Sequence, residues 1–224
     1  MIRYRIITVS LFIVFAVFIN YIEAKNNNDF PLLGKVIYID PGHGGEDPGA
    51  VYKDIYESHI NLEISEALSE TLGNMGAIVY MTRYGDYDLS DVYAINRKRS
   101  DLSRRSNIIN RSECDLFVSI HLNADPSSVW YGAQVFYDDE HEENEKIAKI
   151  IQDELARYVK TKRKYTKTDD MYLHRMVKRP GVLIEVGFLS NPNERYLLQK
   201  KWYQERLSRA IASGIVKYFE QQNF

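Results

Sequence analysis

Cysteine is almost absent from this chain of 224 residues, which contains only Cys114. A single thiol cannot form an intrachain disulfide, and it cannot build the cysteine clusters that hold structural zinc. A strong charge of either sign is also lacking, because 29 lysines and arginines nearly balance 31 aspartates and glutamates, for a formal net charge of −2. This balance does not favour a nucleic-acid binder, and we expect no nucleic-acid partner.

Long apolar runs are missing except near the start of the chain, where MIRYR is followed by IITVSLFIVFAVFI. A basic segment and then an apolar segment predict export, with residues 1–24 acting as a signal peptide or as a retained membrane anchor. No lipobox cysteine follows, so lipid attachment is not expected. Residues 25–33 are predicted to be a polar linker and residues 34–224 a single folded domain. Its substrate and partners should therefore lie outside the cytoplasm.

The glycine-rich segment at residues 38–50, YIDPGHGGEDPGA, lacks the features of a phosphate-binding loop. It has neither the lysine nor the serine or threonine of such a loop, and its spacing fits no dinucleotide fingerprint. The segment does contain His43, placed among residues that end regular structure. Two alternatives remain for this histidine: an incidental place in a tight turn, or a metal ligand presented by a sharp bend.

Strand patterns alternate with helix patterns along the rest of the chain. Strands are predicted at 35–40, 77–82, 115–121, 132–137 and 182–188, and helices at 57–75, 97–110, 140–161 and 202–219. This alternation predicts an α/β fold: a single-domain sandwich with a twisted, mainly parallel sheet of about five or six strands between helices.

Two charge runs flank the third predicted helix, the acidic DDEHEENE and the basic KTKRK. Acidic groups at the start of a helix and basic groups at its end complement the helix dipole. We favour that interpretation over a basic recognition patch.

Chemically capable side chains are expected at the carboxyl ends of the strands, where parallel α/β sheets bind ligands. His43 follows the first strand, His121 ends the third, Glu185 lies in the fifth, and Glu57 begins the first helix. Two imidazoles and one carboxylate form the ligand set of hydrolytic zinc sites, in which zinc activates water. A further carboxylate is needed to move the proton. His43, Glu57 and His121 therefore fit a Zn²⁺ site, with Glu185 as the catalytic residue.

Each of these residues also has a structural alternative. Glu57 lies three residues after Asp54, which is the spacing of a helix capping box. His121 follows an apolar strand and could be a hydrogen-bonded core histidine. Glu185 is the hardest to explain structurally, because a carboxylate between VLI and VGF is expected to be buried and to need a partner or a metal.

Four segments, VIYIDPGHGGEDPGA, ESHINLEIS, CDLFVSIHLNAD and RPGVLIEVGFLSNPNE, resemble the signature segments of the zinc-dependent N-acetylmuramoyl-L-alanine amidases of the Amidase_3 type. They occur in the family's order, from about Lys35 to the C-terminus. The resemblance implies an amidase domain over residues 34–224, with the zinc ligands and catalytic glutamate named above. It also implies hydrolysis of the amide bond between the lactyl group of N-acetylmuramic acid and L-alanine in peptidoglycan. One departure is Ser58, where the family commonly has lysine.

Within that family, the chain most resembles the germination-specific, CwlD-like amidases of spore formers. This resemblance implies a spore-cortex substrate, muramic-δ-lactam formation with a separate deacetylase, and a location in the intermembrane or cortex space of the spore. A membrane-attached or lipoprotein partner is expected, because no wall-binding module is apparent in the sequence. The alternatives are a catalytically inactive peptidoglycan-binding or partner-activating module on the same fold, and another metal hydrolase such as a deacetylase.

Three further residues are predicted to orient a ligand or to contact the substrate: Asp40, Asn123 and His174. For Asp40, a purely structural role in the Asp-Pro-Gly bend is an equal alternative. His59 and His141 are weaker candidates, because His59 faces away from Glu57 on the helix and His141 lies in an acidic segment.

Overall fold

The computed structural model describes residues 30–169 and 171–222, and its central element is a six-stranded sheet. The strands of the described residues are β1 (Val36–Pro41), β2 (Val51–Tyr52), β3 (Ile55–Tyr56), β4 (Ile78–Met81), β5 (Leu116–Asn123), β6 (Gln134–Tyr137), β7 (Thr166–Lys167) and β8 (Gly181–Phe188). The large sheet has the order β4-β1-β5-β8-β6-β7, and β2 and β3 form a separate antiparallel pair.

Four neighbouring strands of the large sheet, β4, β1, β5 and β8, are parallel. Strand β6 is antiparallel to β8, and β7 is parallel to β6. The predicted α/β sandwich with a mainly parallel sheet is thus confirmed. Because four carboxyl ends share one edge, side chains that follow β1, β5 and β8 are brought together there.

Helices lie on both faces of this sheet. They are α1 (Glu57–Asn74), α2 (Arg97–Ser112), α3 (Asn144–Val159), α4 (Tyr172–Met176), α5 (Pro192–Leu198) and α6 (Lys201–Glu220). The four longest correspond to the predicted helices. The short elements β2, β3, β7, α4 and α5 were not predicted, because two to seven residues carry too little periodicity to be recognised.

Helix α1 positions Glu57 at the carboxyl edge of the sheet because one face of the helix is apolar. Ile60, Ile64, Leu68 and Leu72 are buried at intervals of four residues and hold this face against the sheet. The chain leaves the helix through Gly76, whose positive φ of 93° follows the last turn.

Two apolar clusters cover the two faces of the sheet. The larger joins the sheet to α1, α3 and α6. The smaller lies on the opposite face, under α2 and α4, and consists of Tyr38, Ile109, Cys114, Phe117, Leu173 and Val177. Because side chains alternate along a strand, Ser119 and His121 lie on the same face as Phe117.

The charge runs beside α3 do not lie where the sequence indicated. Helix α3 spans Asn144–Val159 instead of 140–161, so most of the acidic run precedes it and the whole basic run at 160–164 follows it. Within the helix, Glu145 in the first turn and Arg157 in the last complement the dipole. The basic run begins at Lys160, the C-cap of α3, where a positive charge complements the dipole, and its other residues form the connection to β7.

Packed structure begins before the predicted domain start at residue 34. Leu32 is fully buried in the larger cluster, and its N–H donates to the carbonyl of Met75 at 3.0 Å. The predicted export segment, residues 1–24, lies outside the described residues. Among the described helices, none is both long and apolar enough to cross a membrane.

Candidate active site

The three predicted metal ligands lie together at the carboxyl edge of the sheet. Nε2 of His43 and Nδ1 of His121 each lie 3.2 Å from Oε1 of Glu57. One donor atom from each residue falls within 4.8 Å of the others. The two imidazole rings meet edge to face, with their centroids 5.0 Å apart. The arrangement presents two nitrogen donors and one carboxylate to a common point.

Backbone and side-chain donors hold the Glu57 carboxylate in place. Its Oε2 accepts from the N–H of Ala50 at 2.8 Å, and its Oε1 accepts from the N–H of Leu122 at 3.0 Å and from Nδ2 of Asn61 at 3.2 Å. Helix α1 begins at Glu57 itself, with Tyr56 as its N-cap and no side-chain cap. The structure therefore does not contain the capping box that the Asp54 spacing allowed.

Two glycines let the ligands approach the turn that carries His43. A Cβ at Gly42 would lie 2.2 Å from Cε1 of His121, and a Cβ at Gly49 would lie 2.6 Å from Oε2 of Glu57. His43 has a positive φ of 62°, which is uncommon for a residue with a side chain. A residue with this strained backbone conformation therefore lies within the site itself.

Asp47, which the sequence analysis did not identify, fixes the His43 ring. Nδ1 of His43 donates to Oδ2 of Asp47 at 2.9 Å, which leaves Nε2 facing Glu57. Burial lowers the pKa of His43, but Asp47 and Glu57 outweigh burial and raise it to about 9. The sequence feature that could have indicated this role is a carboxylate four residues after the histidine, in the same turn.

Glu185 faces the cluster from β8, directly opposite His121 in the β5–β8 register. Its Oε2 is shielded from solvent and has no hydrogen-bond partner among the described residues. Burial raises the pKa of Glu185 to about 7; His121 and His43 oppose this rise, and Glu57 adds to it. A carboxyl group of this kind can both accept and release a proton near neutral pH.

Two buried arginines, which the sequence analysis also missed, bind the carbonyls of the His43 turn. Arg105 donates from Nη1 to the carbonyl of Pro41 at 2.8 Å and from Nη2 to that of His43 at 2.7 Å. Arg83 donates from Nε to the carbonyl of Pro41 at 2.9 Å and from Nη2 to that of Gly42 at 3.0 Å. The turn is thus held by fixed guanidinium groups.

Asp40 contacts this arginine system. Its carboxylate accepts from Nη1 of Arg105 at 2.8 Å, from Oγ1 of Thr82 at 2.6 Å and from Oγ of Ser119 at 2.7 Å. Burial raises the pKa of Asp40, but the Arg105 charge and these hydrogen bonds lower it to about 2. Asp40 therefore contacts the His43 turn indirectly, because Arg105 binds both the Asp40 carboxylate and the carbonyl of His43.

His174 is buried, and neither of its ring nitrogens has a hydrogen-bond partner among the described residues. Its ring lies against Phe117, with the centroids 4.7 Å apart, and burial lowers its pKa to about 3. Together with His43 and His121, it lines a cavity of about 310 Å³ beside the cluster.

The remaining candidates are less closely connected to the cluster. The carbonyl of Asn123 accepts from the N–H of Leu189 at 2.8 Å. His59 pairs with Asp86 at 3.1 Å, and Nδ1 of His141 accepts from the N–H of Glu143 at 3.2 Å.

Together, the fold and this group of side chains define a class: a parallel α/β domain with a cluster that could hold a metal ion at its strand ends. The Amidase_3 family, N-acetylmuramoyl-L-alanine amidase, matches residues 37–217. The chain belongs to this family, which is metal-dependent, and is an N-acetylmuramoyl-L-alanine amidase.

Similar proteins share most of their length with this chain. The germination-specific N-acetylmuramoyl-L-alanine amidase of Bacillus subtilis is 47% identical over 208 residues, covering 88% of this chain and 87% of the relative. The CwlD amidase from Clostridioides difficile, solved in complex with the GerS lipoprotein, is 40% identical with a TM-score of 0.80, covering 84% of this chain and all of that one. An N-acetylmuramoyl-L-alanine amidase from Clostridium difficile 630 is 29% identical with a TM-score of 0.76, covering 84% and 98%.

Ser58 follows Glu57 in helix α1, at the position where the resemblance described above leads us to expect lysine. The residue is buried, and its carbonyl accepts from Nη2 of Arg83 at 2.7 Å. This chain therefore supplies no ammonium group beside Glu57 from that position.

Proposed function

We propose that this protein is a zinc-dependent amidase that cleaves between the lactyl group of N-acetylmuramic acid and L-alanine in the peptidoglycan of the spore cortex. The observation that carries the proposal is the position of Glu185, which lies directly opposite His121 on the neighbouring strand and has a shielded, unpartnered Oε2. A carboxylate beside a group of metal-binding donors is the arrangement that amide hydrolysis needs.

The donor set fits zinc. Zinc is a borderline ion that binds both imidazole nitrogen and carboxylate oxygen, and two imidazoles with one carboxylate leave a fourth position of a tetrahedral site open. The hydrogen bond from His43 to Asp47 and those from Ala50 and Leu122 to Glu57 orient the donors before any metal binds. We therefore assign His43, Glu57 and His121 as the zinc ligands.

When bound, zinc supplies a Lewis acid that makes water a stronger nucleophile and polarises the scissile carbonyl. In our assignment, Glu185 accepts a proton from the attacking water and then donates it to the departing nitrogen of L-alanine. The burial that raises the pKa of Glu185 to about 7 suits both steps, because it makes the protonated acid accessible at neutral pH.

The alternative function is a catalytically inactive module that binds peptidoglycan or activates a partner. Such a module has no need of a carboxylate with a shielded, unpartnered oxygen, since that group destabilises the fold without contributing to binding. The intact set of His43, Glu57, His121 and Glu185 favours the enzyme.

The cortex substrate and the partner are proposed from the similar proteins. One relative is described as germination-specific, and a solved CwlD amidase forms a complex with a lipoprotein. We accordingly propose that the protein acts after export, that a lipoprotein partner recruits it, and that a separate deacetylase completes muramic-δ-lactam formation on its product.

Mass spectrometry of cortex peptidoglycan digested with the purified protein tests this function. The expected products carry a new amino group on L-alanine and an intact glycan strand. New reducing ends would indicate a glycosidase, and free acetate would indicate a deacetylase. Either product in place of the alanine amine would exclude the proposed reaction.

A further inference from the structure

The face of the sheet that carries His121 and Glu185 is only partly covered by helices. The small apolar cluster under α2 and α4 involves strands β1 and β5 on this face. Farther along the same face, the side chains of β8 and β6 remain partly exposed. This open shelf consists of Leu183, Glu185, Gln134 and Phe136. The shelf starts at Glu185 on β8 and extends across β6, away from the proposed metal ligand His121 on β5.

Arg163 stands beside this shelf, next to Gln134. Gln134 is directly opposite Glu185 in the β6–β8 register, and its Oε1 accepts from Nη1 of Arg163 at 2.8 Å. Directly opposed side chains on neighbouring strands have Cβ atoms about 5 Å apart. The guanidinium group of Arg163 therefore lies one side chain beyond Gln134, on the strand next to the one that carries Glu185.

The Arg163 side chain is held rigidly. Its guanidinium lies over the ring of buried Phe188, at 4.5 Å from the centroid, and over the ring of Trp130, at 5.5 Å. Its Nε donates to the carbonyl of Tyr131 at 2.9 Å. Trp130 itself is 51% exposed and contributes little to the core. A fixed cation beside an exposed aromatic ring is a preorganised binding surface.

The charge of Arg163 is not neutralised by an ion pair. Among residues 30–169 and 171–222, no carboxylate lies within ion-pair distance of it, and its Nη2 has no acceptor. Glu194 is close enough to interact with this charge, but its oxygens accept from the N–H groups of Gly132 and Phe188. Nη2 therefore remains available to a carboxylate, which a guanidinium binds strongly.

We infer that Arg163 recognises a carboxylate of the stem peptide, with Trp130 as an apolar wall of the same subsite. This inference rests on the proposed function. Because Glu185 protonates the departing nitrogen, the peptide half of the substrate lies on the Glu185 side of the metal. An extended chain covers about 3.5 Å per residue, so a carboxylate on the second peptide residue falls about 7 Å beyond the scissile nitrogen. Arg163 is placed on that side of Glu185, next to the residue paired with it on β6.

The test compares two muropeptides that differ only in the second residue of the peptide, which carries either a free carboxylate or a carboxamide. We expect the wild-type protein to prefer the carboxylate, chiefly through KM. Arg163→Gln should lower kcat/KM on the carboxylate substrate by about 10- to 100-fold and leave the carboxamide substrate nearly unchanged. Arg163→Lys, which retains the charge and loses the planar fork, should show an intermediate preference.

Lys162→Gln is the matched control, because Lys162 is an exposed neighbour with the same charge. It should retain the full preference. If Arg163→Gln lowers kcat/KM equally on both substrates, Arg163 only supports the structure of the Trp130 loop. If Lys162→Gln lowers kcat/KM on the carboxylate substrate as much as Arg163→Gln does, the effect is a non-specific attraction between positive charge and the anionic substrate. Either result overturns the inference. A wild-type protein that cleaves both substrates equally also overturns it, whereas one that cleaves neither contradicts the proposed function instead.

The Trp130 part of the inference has its own test. Trp130→Ala should raise KM on the single muropeptides, whereas Trp202→Ala should not, although Trp202 is exposed to a similar extent, 53%, and its ring contacts Tyr203. If Trp130→Ala weakens only the cleavage of long glycan strands, the ring binds sugar and the assignment of Trp130 to the peptide subsite is wrong.

Discussion

Replacing Arg105 with alanine should destabilise the protein by about 3–5 kcal/mol, the usual cost of removing one partner from a buried ion pair. Arg105 is 1% exposed, and it binds Asp40 and Asp101 at 2.8 Å each. The substitution leaves two carboxylates without their cation. It also removes the donors to the carbonyls of Pro41 and His43, so the turn that positions the first proposed ligand should loosen.

Arg104 provides the matched control one residue earlier. It also forms an ion pair at 2.8 Å, with Asp91, but both side chains are about half exposed. Arg104→Ala should therefore cost no more than about 1 kcal/mol. Urea unfolding of the metal-free proteins measures both values, with the m-value showing whether the unfolding transition itself has changed.

Acid titration gives an independent measure of the same interaction. The pKa of Asp40 is about 2 in the folded protein against an ordinary value of 3.8, so the folded state favours the ionised form. The stabilisation from Asp40 is therefore complete above about pH 4 and is lost as the pH falls towards 2. In Arg105→Ala, this part of the acid dependence should shrink. The reasoning fails if Arg105→Ala costs as little as Arg104→Ala, or if its acid dependence is that of the wild type.

Three further predictions concern the metal. The double variant of His43 and His121 to alanine should carry no stoichiometric zinc by elemental analysis, and retained zinc would disprove the ligand assignment. Chelation should abolish activity and added zinc should restore it; unchanged turnover after complete metal removal would contradict a metal-dependent reaction. Gly42→Ala should reduce turnover by about 100-fold. The new Cβ would lie only 2.2 Å from Cε1 of His121, so the imidazole ring must move away from its position in the cluster. Gly73→Ala, with no atom within 4 Å, is its control, and equal losses in both variants would refute the steric argument.

Residues at the ends of regular strands could be predicted from the sequence. His43, His121 and Glu185 follow or occupy apolar strands, and the rule that parallel strands bind ligands at their carboxyl ends places the three together. Glu57 required the additional inference that the first helix returns from the same edge. The positions of these residues could be predicted because each depends on a local pattern and one topological rule, whereas their roles remain predictions.

The buried arginines could not be predicted in this way. Arg105 stands in the polar sequence RSDLSRRSNII beside exposed Arg104, and nothing local distinguishes the two. Its burial depends on Asp40, which is 65 residues away. The position of Arg163 could not be predicted for a related reason: it lies in the connection after helix α3, which ends at Val159, and its place beside Gln134 depends on the pairing of β6 with β8.

The central claim is that Glu185 moves the proton while His43, Glu57 and His121 hold the metal. Its most direct test is to measure zinc content and turnover together in purified Glu185→Gln. Glutamine keeps the size of the side chain and cannot accept the proton, so the variant should retain one zinc and lose turnover by about 10²–10⁴-fold. A variant that loses its zinc would make Glu185 a ligand, and one that keeps near-normal turnover would show that the proton moves by another route.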